Sequence, residues 1–155
     1  MAELSLCRFV VSSPLPAIFL SADILGQLAK RRRPETLMAN LAGMPLAAQF
    51  TSAVNVAEIY HGIFRLDGRE NLRESLLGFF GGQIFPRLTI LPFDEEDALT
   101  YGRLKASLER QGRPRFEPDL QIAAIAIRNR LTIVTGNVRH FAGILGLKVE
   151  NWLAA

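Results

Sequence analysis

The sequence predicts an α/β fold in which a mostly parallel central sheet is flanked by helices. Short apolar runs rich in β-forming residues alternate with stretches of helical periodicity, as expected for parallel strands joined by crossover helices. Hydrophobic residues make up 49% of the chain. A parallel sheet buried on both faces, a protein interface, or both would account for this apolar excess.

Five segments are predicted as strands. Three are short apolar runs bounded by turn or helix signals, a fourth mixes Phe, Thr, Ser and Ala, and the last is a short segment near the C-terminus. In chain order they are Ala17–Leu20, Gln49–Ala53, Leu88–Leu91, Leu131–Val134 and Lys148–Glu150.

Six segments between the strands are predicted as helices. The third repeats apolar residues at spacings of three and four, and the fourth stops at Gly81-Gly82. The fifth has acidic residues in its first turn and basic ones later, which complements the helix dipole. The sixth is rich in alanine, which allows close approach to a sheet. The predicted helices are Ile24–Lys30, Pro34–Leu41, Val54–Leu66, Leu72–Phe80, Asp94–Arg110 and Leu120–Asn129.

A chain of 155 residues fits one domain. Residues 1–16 are predicted to form an N-terminal arm or an extra edge strand around Cys7–Val11, and residues 17–155 the α/β domain. The apolar run Phe9–Leu20 is a poor match to a signal peptide because two prolines interrupt it. Gln111–Pro118, with one glycine and two prolines, is predicted to be a loop and not a domain boundary.

Charge and cysteine content narrow the class of protein. The single cysteine excludes an internal disulfide and a cysteine-based metal site, and indicates a cytoplasmic protein. No apolar run approaches the roughly 20 residues that span a bilayer. The net charge of +3 permits nucleic-acid binding without requiring it. The basic residues are clustered at Lys30–Arg33 and among the arginines from Arg103 to Arg115. Either cluster could equally well bind nucleic acid or form a solvated face.

The polar residues that could carry chemistry follow the predicted strands. The sequence has no glycine-rich phosphate loop and no G-x-S-x-G elbow, and its two histidines lack a partnered nucleophile. Ligands of α/β proteins bind beyond the carboxyl ends of parallel strands. The candidates that follow predicted strands are Ser21, Asp23, Glu58, Thr135 and Asn137, and a further candidate, Asp119, opens its own helix behind Pro118.

Each candidate also has a purely structural interpretation. Asp23 and Asp119 could cap helices, and Asn137 in Thr-Gly-Asn is typical of a turn. Glu58 could lie at the boundary of a solvated helix face. Spacing alone does not bring these side chains together.

Three blocks of sequence, in order, resemble PIN-domain proteins of the VapC type. Ala53–Gly62 (AVNVAEIYHG) is similar to the family's v-x-x-A-E-l-x-x-G helix. Asp119–Ala126 (DLQIAAIA) is similar to D-l-x-I-A-A-x-A, and Thr135–Phe141 (TGNVRHF) to T-x-N-x-x-D/H-F. The match extends over about Ala17 to Trp152. The resemblance implies a PIN-like three-layer sandwich for residues 17–155, with a parallel sheet between helices.

The resemblance also implies a metal-dependent nuclease site. Glu58 and Asp119 match acidic positions that hold Mg²⁺ or Mn²⁺ in the family. Asn137 matches a polar or acidic position that completes the site or orients a water on the metal, and Thr135 matches the hydroxyl position of the same motif.

The opening block departs from the family pattern. The family has L-D-T-N-x-L, whereas this chain has Leu20–Leu25 as LSADIL. Ser21 therefore replaces the first metal-binding aspartate and removes a full negative charge from a site that needs carboxylates. Asp23 could restore that charge as a metal ligand, or serve instead as a helix cap or as support for a ligand.

Basic residues near the predicted site are candidates for binding the phosphate backbone. Arg113 and Arg115 precede Asp119, and Arg139 lies within the last motif, so these three are better candidates than the cluster at residues 30–33. His61 is predicted to be a packing or interface residue. His140 is predicted to have a structural role or to support a metal ligand.

The leading hypothesis is a metal-dependent endoribonuclease, the toxin of a toxin–antitoxin pair, with RNA as substrate and tRNA as one candidate. The family further implies a homodimer and a cognate antitoxin, and the high apolar content suits both. The alternative is a catalytically impaired PIN-like module that binds RNA or a protein partner. A third, remoter hypothesis is an unrelated α/β domain in which Asp23 and Asp119 cap helices.

Overall fold

Five parallel strands form one sheet within residues 16–154, which the computed structural model describes. The strands are β1 (Ile18–Leu20), β2 (Gln49–Ser52), β3 (Thr89–Leu91), β4 (Thr132–Val134) and β5 (Lys148–Glu150). Their order is β3-β2-β1-β4-β5, and every neighbouring pair is parallel. The predicted α/β fold is confirmed, and this sheet is entirely parallel. The predicted arm or edge strand around Cys7–Val11 lies outside the described residues.

The helices follow the predicted order with shifted ends. They are α1 (Ala22–Leu28), α2 (Glu35–Ala42), α3 (Ala53–Phe64), α4 (Glu70–Phe79), α5 (Glu95–Arg110), α6 (Glu117–Arg128) and the unpredicted α7 (Val138–Phe141). Helix α6 begins before the predicted Leu120 because Pro118 is accommodated in its first turn. Beyond α4 the chain continues as a π-helical turn over Phe80–Ile84, so Gly81-Gly82 does not end the helical path.

Two apolar cores pack against opposite faces of the sheet, which gives three layers. Alternation along β1 assigns Ile18 and Leu20 to the core that includes α1 and α2, and Phe19 to the core that includes α6. Three alanines of α6, Ala123, Ala124 and Ala126, are completely buried. Their small side chains allow α6 to approach the sheet closely, as predicted from their composition.

Arg128 near the end of α6 joins this helix to the start of α5. Its Nε donates a 2.7 Å hydrogen bond to Asp97, whose side chain is only 1% exposed, and its other nitrogens pair with Asp94 and Glu96. Asp94 and Asp97 also form a capping box at the first turn of α5. This network holds the C-terminal end of α6 in place, and Asp119 lies in the first turn of the same helix.

Strand β1 lies at the centre of the sheet, so the segments after β1, β2 and β4 converge at one edge. The Ser21 amide continues the β1–β4 ladder by donating to the Val134 carbonyl at 3.2 Å. Ser52 at the end of β2 caps α3, because its side-chain oxygen accepts a hydrogen bond from the backbone N–H of Asn55. Among residues 16–154, none of the helices is long and apolar enough to cross a membrane.

Candidate metal centre at the carboxyl edge of the sheet

A cavity of about 230 Å³ lies at the carboxyl edge of the sheet. Its wall is formed by the start of α1, one side of α3, the first turn of α6 and the loop after β4. All six polar residues singled out from the sequence line it: Ser21, Asp23, Glu58, Asp119, Thr135 and Asn137. The fold thus brings together residues whose proximity the sequence spacing left open.

Ser21 is buried at the end of β1 and belongs to the β1–β4 junction. Its hydroxyl lies 2.9 Å from the Val134 carbonyl oxygen and in short contact with the Asp23 carboxylate. A hydroxyl has one proton, so these two acceptors compete for it. The residue that replaces the family's first aspartate therefore brings a neutral donor to the cavity wall.

Asp23 is held by three donors. One carboxylate oxygen accepts from the hydroxyls of Ser21 and Thr135, the latter at 3.0 Å, and the other accepts from the Gly136 amide at 2.7 Å. A Cβ at position 136 would lie 2.7 Å from the Leu153 Cδ1 and 3.0 Å from the Asp23 carboxylate, so a larger residue there would require these two side chains to move. Asp23 therefore connects the start of α1 to the loop after β4.

Helix capping does not explain the two aspartates. The N-cap of α1 is Ser21 and that of α6 is Phe116, and neither cap makes a side-chain hydrogen bond. Asp23 and Asp119 lie inside the first turns of their helices, with their carboxylates at the cavity. The capping role that the hypothesis of an unrelated domain gave to both aspartates is therefore wrong.

Glu58 and Asp119 are half-buried carboxyls with perturbed acidity. Burial raises the pKa of Glu58 above its ordinary value, and the negative charges of Asp119 and Asp23 raise it further. Burial likewise raises the pKa of Asp119, assisted by Asp23 and opposed by His140 and Arg115. These carboxyls thus concentrate negative charge that the surrounding protein only partly compensates.

His140 supports Asp119 from α7. Its Nδ1 lies 3.2 Å from an Asp119 carboxylate oxygen, and its imidazole lines the cavity. This contact agrees with the predicted supporting role. His61, in contrast, is exposed on α3 and outside this cavity.

Three arginines predicted to contact substrate lie around the cavity, not in its wall. Arg113 and Arg115 both donate to the Ala142 carbonyl, at 3.3 and 3.0 Å, and so fasten the loop before α6 to the end of α7. Arg115, together with His140, lowers the pKa of Asp119. Arg139 is exposed, and contact of any of the three with a substrate stays a prediction.

Asn55 is a cavity residue that the sequence reasoning missed. It is completely buried on α3 and lines the cavity one helical turn before Glu58. Its amide nitrogen donates to the Leu20 carbonyl and to the Thr51 hydroxyl, both at 3.2 Å. Its amide oxygen is buried and has no hydrogen-bond partner among the described residues. A polar residue three positions before Glu58 was the available signal.

The donor set fits a hydrated Mg²⁺ or Mn²⁺ bound by two carboxylates. Mg²⁺ takes oxygen ligands, commonly from one or two carboxylates, and keeps several waters. Glu58 and Asp119 provide such a pair, and the unpartnered Asn55 oxygen adds a neutral acceptor. Across residues 16–154, no three His, Cys, Asp or Glu side chains are arranged to hold an ion together. Asp23 as a third ligand stays a prediction.

Comparison with known proteins agrees with this geometry. The PIN domain family model matches residues 21–144. Ribonuclease VapC2 from Haemophilus influenzae is 31% identical over 134 residues, which cover 86% of this chain and 96% of that protein. The tRNA(fMet)-specific endonuclease VapC of Shigella flexneri is 34% identical over 101 residues, or 65% of this chain and 73% of that protein.

Solved structures show the same fold. The crystal structure of FitAcB from Neisseria gonorrhoeae superposes with a TM-score of 0.80 and 26% identity, covering 89% of this chain and 99% of the other. VapBC2 from Rickettsia felis, bound to a promoter DNA fragment, gives a TM-score of 0.74 and 28% identity, with coverage of 88% and 98%. The chain belongs to the PIN domain family, among its VapC-type toxin ribonucleases.

Proposed function

We propose that this protein is a Mg²⁺- or Mn²⁺-dependent endoribonuclease, the toxin of a toxin–antitoxin pair, which cleaves RNA phosphodiester bonds. The observation that carries the proposal is the pairing of Glu58 and Asp119 in one cavity, with pKa values raised by burial and by neighbouring negative charge. A divalent cation would offset that charge. The similarity to a ribonuclease and to a tRNA(fMet)-specific endonuclease favours RNA, with tRNA as the first substrate to test.

The residues of the cavity have separable roles in this reaction. A bound Mg²⁺ or Mn²⁺ would supply an activated water and offset charge on the phosphate. Glu58 and Asp119 would hold the cation through their carboxylate oxygens, and His140 would keep Asp119 oriented. Thr135 would position Asp23. Asn137, exposed at the mouth of the cavity, would be free to orient substrate or water.

Two protein partners complete the proposal: a cognate antitoxin and a second copy of this chain. FitAB and VapBC structures among the relatives contain toxin with antitoxin. The described residues include large exposed apolar side chains, among them Phe64, Leu99 and Leu145, which supply surface for such contacts. The protein would act in the cytoplasm, where it would bind its RNA substrate and its antitoxin.

A catalytically impaired PIN-like module that binds RNA or a protein partner is the second candidate. The observation that favours it is the state of Asp23, whose two oxygens already accept from Ser21, Thr135 and Gly136. If Asp23 keeps these partners, the loss of the aspartate at position 21 is not compensated. The site would then bind its cation weakly.

RNA cleavage by three forms of the chain distinguishes the two candidates. The unmodified chain, Asp119→Ala and Ser21→Asp would each be incubated with a tRNA pool in Mg²⁺ or Mn²⁺. The nuclease proposal expects cleavage by the unmodified chain that disappears with Asp119→Ala. Cleavage by Ser21→Asp alone would identify an impaired site. Silence of all three forms would contradict both the activity and the assumed role of position 21.

A further inference from the structure

The orientation of the Asn55 amide is fixed by the partners of its nitrogen. Nδ2 lies 3.2 Å from the Leu20 carbonyl oxygen, which can only accept a hydrogen bond. Thr51 donates its own proton to the same carbonyl at 2.8 Å and therefore presents oxygen lone pairs to Nδ2. Exchanging the amide oxygen and nitrogen would place oxygen against two oxygens. Oδ1 is thus the atom left without a partner.

An unpartnered acceptor at this depth requires an explanation. Asn55 is 0% exposed, and its Oδ1 has no donor within the described part of the chain. Buried side-chain oxygens in native proteins nearly always accept a hydrogen bond. Asn55 lines the same cavity as Glu58 and Asp119, so the missing donor can be supplied by whatever occupies that cavity.

The carboxylates of Glu58 and Asp119 cannot supply the donor. Glu58 lies one helical turn beyond Asn55 on the same helix, and Asp119 lies across the cavity. Ionised carboxylates only accept hydrogen bonds. Two carboxylates and an amide oxygen around one space form an all-oxygen acceptor set, which suits a hard divalent cation and the waters that it retains.

We propose that Asn55 is a further residue of the cation site and that its Oδ1 accepts a hydrogen bond from the hydration shell of a cation held by Glu58 and Asp119. The amide oxygen thereby supplies part of the oxygen environment that Ser21 does not provide as a carboxylate. Because Asn55 is neutral, it orients the hydrated cation without adding to the repulsion between the carboxylates. The proposal rests on the cation requirement of the proposed function.

Mn²⁺ binding by the full chain tests this role without relying on activity. Free Mn²⁺ is followed by electron paramagnetic resonance for the unmodified chain, Asn55→Leu and the control Gln49→Leu. The control also removes a buried side-chain amide, but Gln49 donates to the Leu41 and Met44 carbonyls and lies outside the cavity wall. Asn55→Leu is expected to weaken binding by about tenfold or more, while Gln49→Leu keeps nearly the original affinity. Unchanged affinity in Asn55→Leu, or equal loss in both, would overturn the proposal.

A second variant covers the case in which Asn55→Leu does not fold. Asn55→Ser places no apolar side chain and no charge against the Leu20 carbonyl and the Thr51 hydroxyl, but it lacks the amide oxygen, so it should also bind Mn²⁺ more weakly than the unmodified chain. Equal or tighter binding contradicts the proposal. If the unmodified chain binds no Mn²⁺, the comparison is made in Ser21→Asp, where equal affinity with and without Asn55→Leu is the contradicting result. Failure of the proposed function appears separately, as a chain that binds Mn²⁺ but does not cleave RNA.

Discussion

The Thr135 hydroxyl donates a 3.0 Å hydrogen bond to Asp23 and so joins the residue after β4 to the first turn of α1. The same hydroxyl accepts a 3.0 Å hydrogen bond from the backbone N–H of Asn137, which shapes the loop after β4. Thr135 is 1% exposed, so water cannot readily replace it. The position of the Asp23 carboxylate at the cavity thus depends on this residue.

Replacing Thr135 with valine removes the hydroxyl at nearly constant volume. The Asp23 carboxylate loses a donor and the backbone N–H of Asn137 loses its acceptor, so the free energy of unfolding should fall by about 1–3 kcal/mol. Urea unfolding monitored by circular dichroism measures the change. Thr132→Val, at the start of β4, serves as control and should alter stability by no more than about 0.5 kcal/mol. Equal stability of both variants would show that the Thr135–Asp23 bond contributes nothing.

Removing the Glu58 charge should stabilise the metal-free protein at neutral pH. The pKa of Glu58 is raised above its ordinary 4.5, so folding favours the protonated form. Its contribution to stability is present below pH 4.5 and is lost as the pH rises through the raised pKa. Glu58→Gln should therefore have a higher Tm than the unmodified chain at pH 7 in EDTA, and the difference should vanish below about pH 4.5.

Glu117→Gln provides a control of opposite sign. The Lys105 ammonium lowers the pKa of Glu117 from 4.5, so this contribution is present above pH 4.5 and is lost as the pH falls through the lowered pKa. Glu117 is solvent-exposed, so the effect should be small and should reduce the Tm at pH 7. If Glu58→Gln has a Tm no higher than that of Glu117→Gln at neutral pH, ionisation of Glu58 in the cavity does not destabilise the fold, and the prediction is wrong.

Loss of the Arg128 guanidinium should destabilise the fold without changing the residues that line the cavity. Arg128→Met leaves the buried Asp97 carboxylate without its 2.7 Å donor, and hydrogen bonds to charged groups contribute about 1.5–3 kcal/mol. Arg73→Met is the control, because its pairing with Glu70 is 4.0 Å long and exposed and should be worth under about 1 kcal/mol. Urea midpoints compare the two. Similar midpoints would contradict a stabilising α5–α6 network.

The strands and most helices were predictable because their signals are local. The alternation of short apolar strands with periodic helices indicated a parallel sheet, and the alanines of α6 indicated a closely packed helix. The turn at Phe80–Ile84 was not predicted, since helical hydrogen bonding continues past Gly81 and Gly82. Helix α7 is only four residues long, too short for periodicity to appear.

The members of the site were largely predictable, but their connections were not. Sequence position placed Asp23 and Glu58 after strand ends and Asp119 at the start of a helix, whereas only the fold shows that three donors hold Asp23. The contact between His140 and Asp119 depends on where α7 packs against α6. Asn55 was not predicted because its spacing from Glu58 does not by itself indicate a buried side-chain amide with an unpartnered oxygen.

A Mn²⁺ titration by isothermal calorimetry tests the central claim, that Glu58 and Asp119 form one cation site weakened by Ser21. The unmodified chain and Glu117→Gln should bind one ion per chain with similar affinity, and Asp119→Asn should bind none. Ser21→Asp, which restores a carboxylate, should bind at least about tenfold more tightly. Undiminished binding by Asp119→Asn, or no gain from Ser21→Asp, would contradict the account.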